Sequence, residues 1–209
     1  MKITLFGATG GTGKQLVDQA CAAGHEVTAV VRDPARLART DPHLTVVTAD
    51  VMDPDSIAPH VSGRDAVITA IGSPDLKPTT IQTDSTRSII EAMRRQGTRR
   101  LLVVSNGGMA TEGDGPVTRF LAKPILSRIL RNPWSDMRVM EEDVRASDLD
   151  WTIVRPPMLT NGPRTGTYRT AIDRNVRGGV RLSRADLADC ILRHLDDPDA
   201  VHVAIAAGN

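Results

Sequence analysis

The sequence predicts an α/β fold, in which one doubly wound, mostly parallel sheet carries helices on both faces. Three observations predict it. Apolar strands alternate with helical segments almost to the end of the chain. The strands are rich in Val and Ile and alternate little, as expected of strands covered on both faces. The first strand, residues 2–6, runs directly into the glycine-spaced turn Gly7-Ala8-Thr9-Gly10-Gly11-Thr12-Gly13, which opens a helix.

The elements follow in order. Strands are expected at 2–6, 26–31, 44–48, 66–71, 100–104, 151–154 and, late, near 201–205. Helices are expected near 12–23, 54–60, 79–96, 117–130, 135–147 and 184–195. Asp53-Pro54, and Ser183 followed by Asp186, are helix starts with a side chain able to cap free N–H groups. Gly24, Gly63 and Gly97 supply stops and turns. Two glycine-rich segments, 105–116 and 156–180, break the alternation. Each follows a strand whose carboxyl end should face a ligand, so both are expected as substrate-pocket loops. No repeat or linker divides residues 1–209, which read as one domain.

Composition narrows the function. Hydrophobic residues make up 40% and charged residues 24% of the 209, the balance of a globular soluble chain. The formal net charge of +1 gives no electrostatic reason to expect nucleic acid. No apolar run approaches the roughly 20 residues of a membrane span, and nothing resembles a signal peptide. A cytoplasmic location follows as the expectation. Cys21 and Cys190 lie in separate expected helices, read as buried thiols, and no spacing of Cys or His suits a metal.

The glycine turn is the strongest functional signal. It aims free N–H groups and a helix dipole at one point, where a pyrophosphate can sit. Gly7 permits the sharp turn, Gly10 allows phosphate approach and Gly13 allows the helix to pack on the strand. With the strand before it and the helix and second strand after it, this is a Rossmann-type dinucleotide site. Gly7, Thr9, Gly10, Gly11, Thr12 and Gly13 are its expected members. At the end of the second strand, where an acidic residue would bind a free ribose 2′-hydroxyl, stands Arg32, whose guanidinium suits a 2′-phosphate. Arg36 and Thr9 could assist it. NADP(H) is therefore expected over NAD(H). Asp33 either turns toward the ribose or caps the turn with Pro34. Asp50 and Val51 suit the adenine edge, although Asp50 reads nearly as well as a turn residue. Ala70, Ile71 and Gly72 should pass close to the middle of the cofactor.

Ordinary short-chain dehydrogenases use a Tyr and a Lys four residues apart, with a Ser. The one tyrosine here is Tyr168, and the residue four further on is Ile172. None of the five histidines lies in either expected pocket loop. Hydride transfer here should therefore go to an acceptor that needs little help from a protein acid, such as a flavin.

With these residues in hand, the chain resembles the atypical short-chain dehydrogenases, closest to the flavin reductase and biliverdin IX-beta reductase type of NAD(P)H-binding protein, with NmrA-like proteins as wider relatives. The resemblance runs nearly end to end. Beyond the glycine turn it rests on Val30-Val31-Arg32-Asp33, Asp65-Ala66-Val67-Ile68, Pro78-Thr79-Thr80, Arg145-Ala146-Ser147-Asp148-Leu149 and Leu182-Ser183-Arg184-Ala185-Asp186-Leu187. It implies a monomer that prefers NADPH, with Arg32 on the 2′-phosphate and an open apolar pocket. It also implies that Val104-Ser105-Asn106 and Pro156-Pro157-Met158 line the nicotinamide. A weak dimer through 79–96 and 117–130 stays open, though these helices are no more apolar than monomer packing needs.

The departures from that group matter. Ser105 and Asn106 stand where the reductase has a threonine and a serine. They are the candidate catalytic residues, orienting the carboxamide or the substrate. A histidine of that group aligns with Glu141, which could donate a proton only if burial raised its pKa; on a helix with Glu142 and Asp143 it is expected on a solvated acidic face. Met109, Trp134 and Met137 could line a pocket for a flat ring, alongside Met140 and Met158. Packing on the sheet is the default for Met137 and Met140, and Trp134 reads equally as a lid or a buried staple. Arg119, Arg128 and Arg131 are expected on a solvated face. The expected function is an NADPH-dependent reductase of a small conjugated acceptor, flavin or quinone-like. The alternative is an NmrA-like redox sensor that binds NADP(H) without turnover. An epimerase is disfavoured, because epimerases of this fold keep the tyrosine pair.

Overall fold

A computed structural model describes the whole chain except Ala38 and Pro74. Ten strands and six α-helices follow in the order β1 (Lys2–Phe6), α1 (Gly11–Ala22), β2 (Glu26–Val31), β3 (Leu44–Thr48), α2 (Pro54–Val61), β4 (Ala66–Thr69), α3 (Ile81–Gln96), β5 (Arg100–Val104), α4 (Lys123–Ile129), α5 (Arg131–Ala146), β6 (Asp150–Arg155), β7 (Met158–Thr160), β8 (Arg169–Ile172), β9 (Arg181–Ser183), α6 (Arg184–Arg193) and β10 (Val203–Gly208). Eight strands form the main sheet in the order β3-β2-β1-β4-β5-β6-β10-β8. All pairings are parallel except β8 with β10. The strand order reverses between β1 and β4, the position at which open parallel sheets form a ligand crevice beyond their carboxyl ends.

The sheet buries residues on both faces with a period of two. Ile3, Leu5, Val27, Ala29, Ile68, Leu102, Val154 and Ile205 pack under α1 and α6. Phe6, Val30, Val67, Leu101, Val103 and Ile153 pack under α2, α3 and α5. Cys21 and Cys190 lie in the first of these cores as free, buried thiols. Burial pushes both thiols up, Cys21 to about 11 and Cys190 to about 12.

The caps read from the sequence are present. The Asp53 carboxylate accepts from the Asp55 N–H, and the Ser183 hydroxyl accepts from the Asp186 N–H. The helix α3 is capped from outside its own segment. Thr80 supplies no side-chain cap, and the buried Asp136 of α5 accepts from the N–H groups of Gln82 and Thr83, 3.0 Å each, and from the Thr83 hydroxyl.

Several boundaries differ from expectation. The strand expected over 66–71 ends at Thr69, and the helix expected from 79 begins at Ile81. The late strand begins at Val203 and runs to Gly208. The helix expected over 117–130 is a π-helical stretch, Thr118–Ala122, leading into α4. Pro124 explains the widening: it has no N–H to give and its ring crowds the carbonyl four residues back, while the Lys123 N–H reaches five residues back to Thr118. The helix expected from 135 starts at Arg131, because Pro133 falls in its first turn, where a missing N–H costs nothing. The expected loop 156–180 contains two short strands, β7 and β8, and β9 follows it directly. β7 and β9 pair in parallel as a separate two-stranded sheet, and β8 edges the main one. Val117, Phe120, Leu121, Ile125 and Ile129, around the π-stretch and α4, are exposed. Among the described residues no helix is long and apolar enough to cross a membrane.

Asp186, 1% exposed, fastens the segment after β7 to α6. Its carboxylate accepts from the N–H groups of Thr165 and Gly166, at 2.7 and 2.9 Å, and from the Thr165 hydroxyl. Burial pushes its pKa up, but these hydrogen bonds and that of Ser183 outweigh burial and hold it below the usual carboxylate range. The carboxylate therefore stabilises the fold above the unfolded-state value of about 3.9 and loses that contribution as pH falls through the lower folded value. Asp186→Ala should cost about 1–3 kcal/mol at neutral pH by urea denaturation. The difference from wild type should shrink when the same curves are taken below about pH 4. A difference that stays constant down to acid pH would contradict the assignment.

Candidate functional site

Four consecutive strands end side by side at the carboxyl edge. Phe6 pairs with Thr69, Thr69 with Val103, and Val104 with Val154. The residues that follow are Gly7, then Ala70-Ile71-Gly72, then Ser105-Asn106, then Pro156-Pro157. The edge is knitted by backbone bonds from Ser105 N–H to the Val154 carbonyl and from Gly107 N–H to the Pro156 carbonyl, 2.8 Å each.

The glycine turn is tight on one side and open on the other. Gly7 has φ +81°, and a Cβ there would come within 2.6 Å of the Ala70 carbonyl. A Cβ on Gly13 would come within 2.1 Å of the Gly7 carbonyl oxygen. Gly10 and Gly11 face solvent, while Thr12 is buried and Thr9 half-buried. Gly10 caps α1 with no side chain, and the first turn of α1 holds no acidic residue. The helix therefore points uncompensated N–H groups at the crevice, as a phosphate-binding turn requires. The chain fits a dinucleotide here on those grounds.

Arg32 and Arg36 are exposed beyond β2. Of the two readings of Asp33, the structure shows the cap: its carboxylate accepts from the Ala35 N–H at 3.0 Å. Asp50 likewise turns its carboxylate onto the Met52 N–H, as a turn residue does, with Val51 half-buried beside it.

Glu141 is not on a solvated face. It is 5% exposed, and its carboxylate accepts from the Ser105 hydroxyl at 2.6 Å and from Arg155 Nε at 2.9 Å, while Arg155 Nη2 pairs with its second oxygen. Arg145 approaches the same oxygen at 3.6 Å. The sequence carried a signal for this. Pro133, Asp136, Met140, Glu141 and Val144 form one buried stripe at helical spacing, on which Glu142 and Asp143 do not lie. The Asn106 side-chain oxygen accepts from the Gly108 N–H at 2.7 Å.

Two further residues organise the loop after β5. The Trp134 ring lies against Gly108, where an added Cβ would sit 2.4 Å from the indole. Of its two readings, that makes Trp134 a half-buried staple between α5 and the loop. Asn175, which the sequence did not single out, donates from its amide to the carbonyls of Gly107 and Ala110 and to Asp114, and so clasps the two glycine-rich loops together. Met109 and Met137 are half-buried near this loop, Met140 is core, and Met158 is 58% exposed. Tyr168 belongs elsewhere. Its hydroxyl donates to the buried Asp189 at 2.7 Å, and its ring packs on the α1–α6 core. Burial, and then that bond, push its pKa up.

Comparison with known proteins agrees with this geometry. The model of the family described as NAD(P)H-binding matches residues 7–198. An uncharacterised Bacillus subtilis protein, YwnB, is 28% identical, with 95% of this chain and 94% of that protein covered. A Streptomyces 3-diazoavenalumate denitrifying reductase is 31% identical, with 99% of this chain and 72% of that protein covered. Among solved structures, a short-chain dehydrogenase/reductase from Veillonella parvula in complex with NADP shares the fold. Its TM-score is 0.81 at 21% identity, over 100% of this chain and 94% of that one.

Glu141→Ala should be strongly destabilising, by about 3–5 kcal/mol in chemical denaturation, because it leaves Arg155 buried without its partner. Ser105→Ala should cost only about 1 kcal/mol. Equal and small effects of the two changes would show that Glu141 is a surface carboxylate after all.

Proposed function

The chain belongs to the NAD(P)H-binding family, and from that premise we propose that it is an NADPH-dependent reductase of a small conjugated acceptor, flavin or quinone-like. The observation that carries this reading is the Ser105 hydroxyl. It stands at the carboxyl end of β5 and already donates its proton to the ion-paired Glu141. A hydroxyl so committed offers a ligand only its lone pairs. It can accept from a carboxamide or substrate N–H, but it is not placed to protonate a substrate oxygen. Tyr168, the one tyrosine, is bonded to Asp189.

Bound NADPH supplies the hydride. The protein's part is to hold and orient the two reactants, which can lower a barrier by several kcal/mol. Conjugated ring acceptors take hydride without a simultaneous proton from the protein, and solvent then completes the reaction. Preference for NADPH rests on Arg32 and Arg36, exposed beyond β2, and on Asp33 being occupied as a cap rather than turned to a ribose. The second reading, a sensor that binds NADP(H) without turnover, draws on the same Ser105 geometry.

NADPH oxidation followed by absorbance, with riboflavin, flavin mononucleotide and small quinones, tests both. Turnover is expected. Arg32→Ala should raise the KM for NADPH roughly 10–100-fold and leave that for NADH little changed. Tight NADPH binding with no turnover across the panel would overturn the reductase reading in favour of the sensor.

A further inference from the structure

We propose that Arg184 is a diphosphate-binding residue of the dinucleotide site, brought to the glycine turn from the far end of the chain by the small β7–β9 sheet. A Cβ on Gly11 would lie 2.8 Å from both Cδ and Nε of Arg184, so the arginine side chain rests on the first residue of α1. That is the point at which α1 presents its free N–H groups. The arrangement sets a guanidinium against the positive end of a helix dipole, and like charges disfavour it. Among the described residues no carboxylate forms an ion pair with Arg184: α1 has no acidic residue in its first turn and no side-chain cap, and the polar partner of Arg184 is neutral, the Asn161 Oδ1 at 2.7 Å. By contrast, the nearly buried Arg155 is matched by the carboxylate of Glu141. A helix N-terminus and an arginine converging on one glycine turn suit an anion bound by both. The diphosphate of a dinucleotide, with its two charges, is the anion that this turn is built to take.

The placement of Arg184 is built into the fold. Thr160 of β7 pairs with Ser183 of β9 at the last rung of their parallel ladder. The next residue on each strand is therefore delivered beside its counterpart, and these are Asn161 and Arg184. Asn161 holds the guanidinium from the open side, and Ser183, as the cap of α6, fixes the backbone where Arg184 begins. Asn161 is thus a positioning residue and Arg184 the binding residue. The sheet that the sequence did not reveal has, on this account, the task of presenting them.

The inference rests on dinucleotide binding alone and not on the identity of the acceptor, so it is tested by affinity. Dissociation constants for NADPH, NADH and adenosine 2′-monophosphate are measured by fluorescence and calorimetry on wild type, Arg184→Gln, Arg184→Lys, Asn161→Leu and Arg32→Ala, with thermal melts of each. Arg184→Gln should weaken NADPH and NADH alike, by roughly 10–100-fold. It should leave the mononucleotide, which has no diphosphate, within about twofold. Arg184→Lys should recover part of the loss. Asn161→Leu should shift both dinucleotides in the same direction by less. Arg32→Ala should give the contrasting pattern, weakening NADPH and the mononucleotide but not NADH. Unchanged affinity of Arg184→Gln for both dinucleotides would overturn the proposal. So would a parallel loss for the mononucleotide with a lowered melting temperature, since that is the signature of a structural role. Should Arg184→Gln fail to fold, the Lys and Asn161 variants decide: dinucleotide affinities at the wild-type level in both would reject the clamp.

Discussion

Where α1 meets the sheet, backbone touches backbone. A Cβ on Gly13 would come within 2.1 Å of the Gly7 carbonyl oxygen, and one on Gly7 within 2.6 Å of the Ala70 carbonyl. No flexible side chain stands at either contact to give way, so both positions accept only glycine. These contacts hold the start of α1 directly above the ends of β1 and β4, where the strand order reverses. Everything else at the carboxyl edge is referenced to that point. The residues after β4, β5 and β6 take their places through the ladder register, and the Arg184 side chain lies in the space that Gly11 leaves.

Much of this was legible in the sequence because it depends on local rules. Glycines spaced across a strand–helix turn, Pro54 after Asp53, and Ser183 three residues before Asp186 each state a backbone geometry within a few residues. The Val- and Ile-rich strands read correctly because both sheet faces are buried. What was not legible depends on distant partners. β7 and β9 have three residues each and are strands only because they find one another. β8 is a strand because β10 offers it an edge. The cap of α3 comes from Asp136, more than fifty residues along the chain. Asn175 reveals itself only when two loops are brought together.

Glu141 shows how a local rule can mislead. Three consecutive acids on a helix resemble a solvated face, and two of them lie outside the buried stripe. Yet helical spacing from Met140 and Val144 places Glu141 inward, and Arg155, at the end of an apolar strand, needs a carboxylate partner in a half-buried position. Pattern and charge had to be read together, because a buried arginine and a buried glutamate are each costly alone and tolerable only as a pair.

The site divides its electrostatics along its length. At the glycine turn, positive charge is left uncompensated: the N-terminus of α1, Arg184 across Gly11, and Arg32 and Arg36 beyond β2. At the ends of β5 and β6, the charge of Arg155 is met by Glu141, which the more exposed Arg145 also approaches, with the Ser105 hydroxyl drawn into the same pair. An anionic ligand is therefore attracted at one end of the crevice and oriented at the other, since a neutralised pair exerts little pull beyond its own hydrogen bonds. A second molecule meeting the neutral end would be held by shape and by apolar contact rather than by charge. Half-buried methionines beside a tryptophan-stapled loop are adaptable, polarisable surfaces, and they suit that kind of contact better than ion pairing.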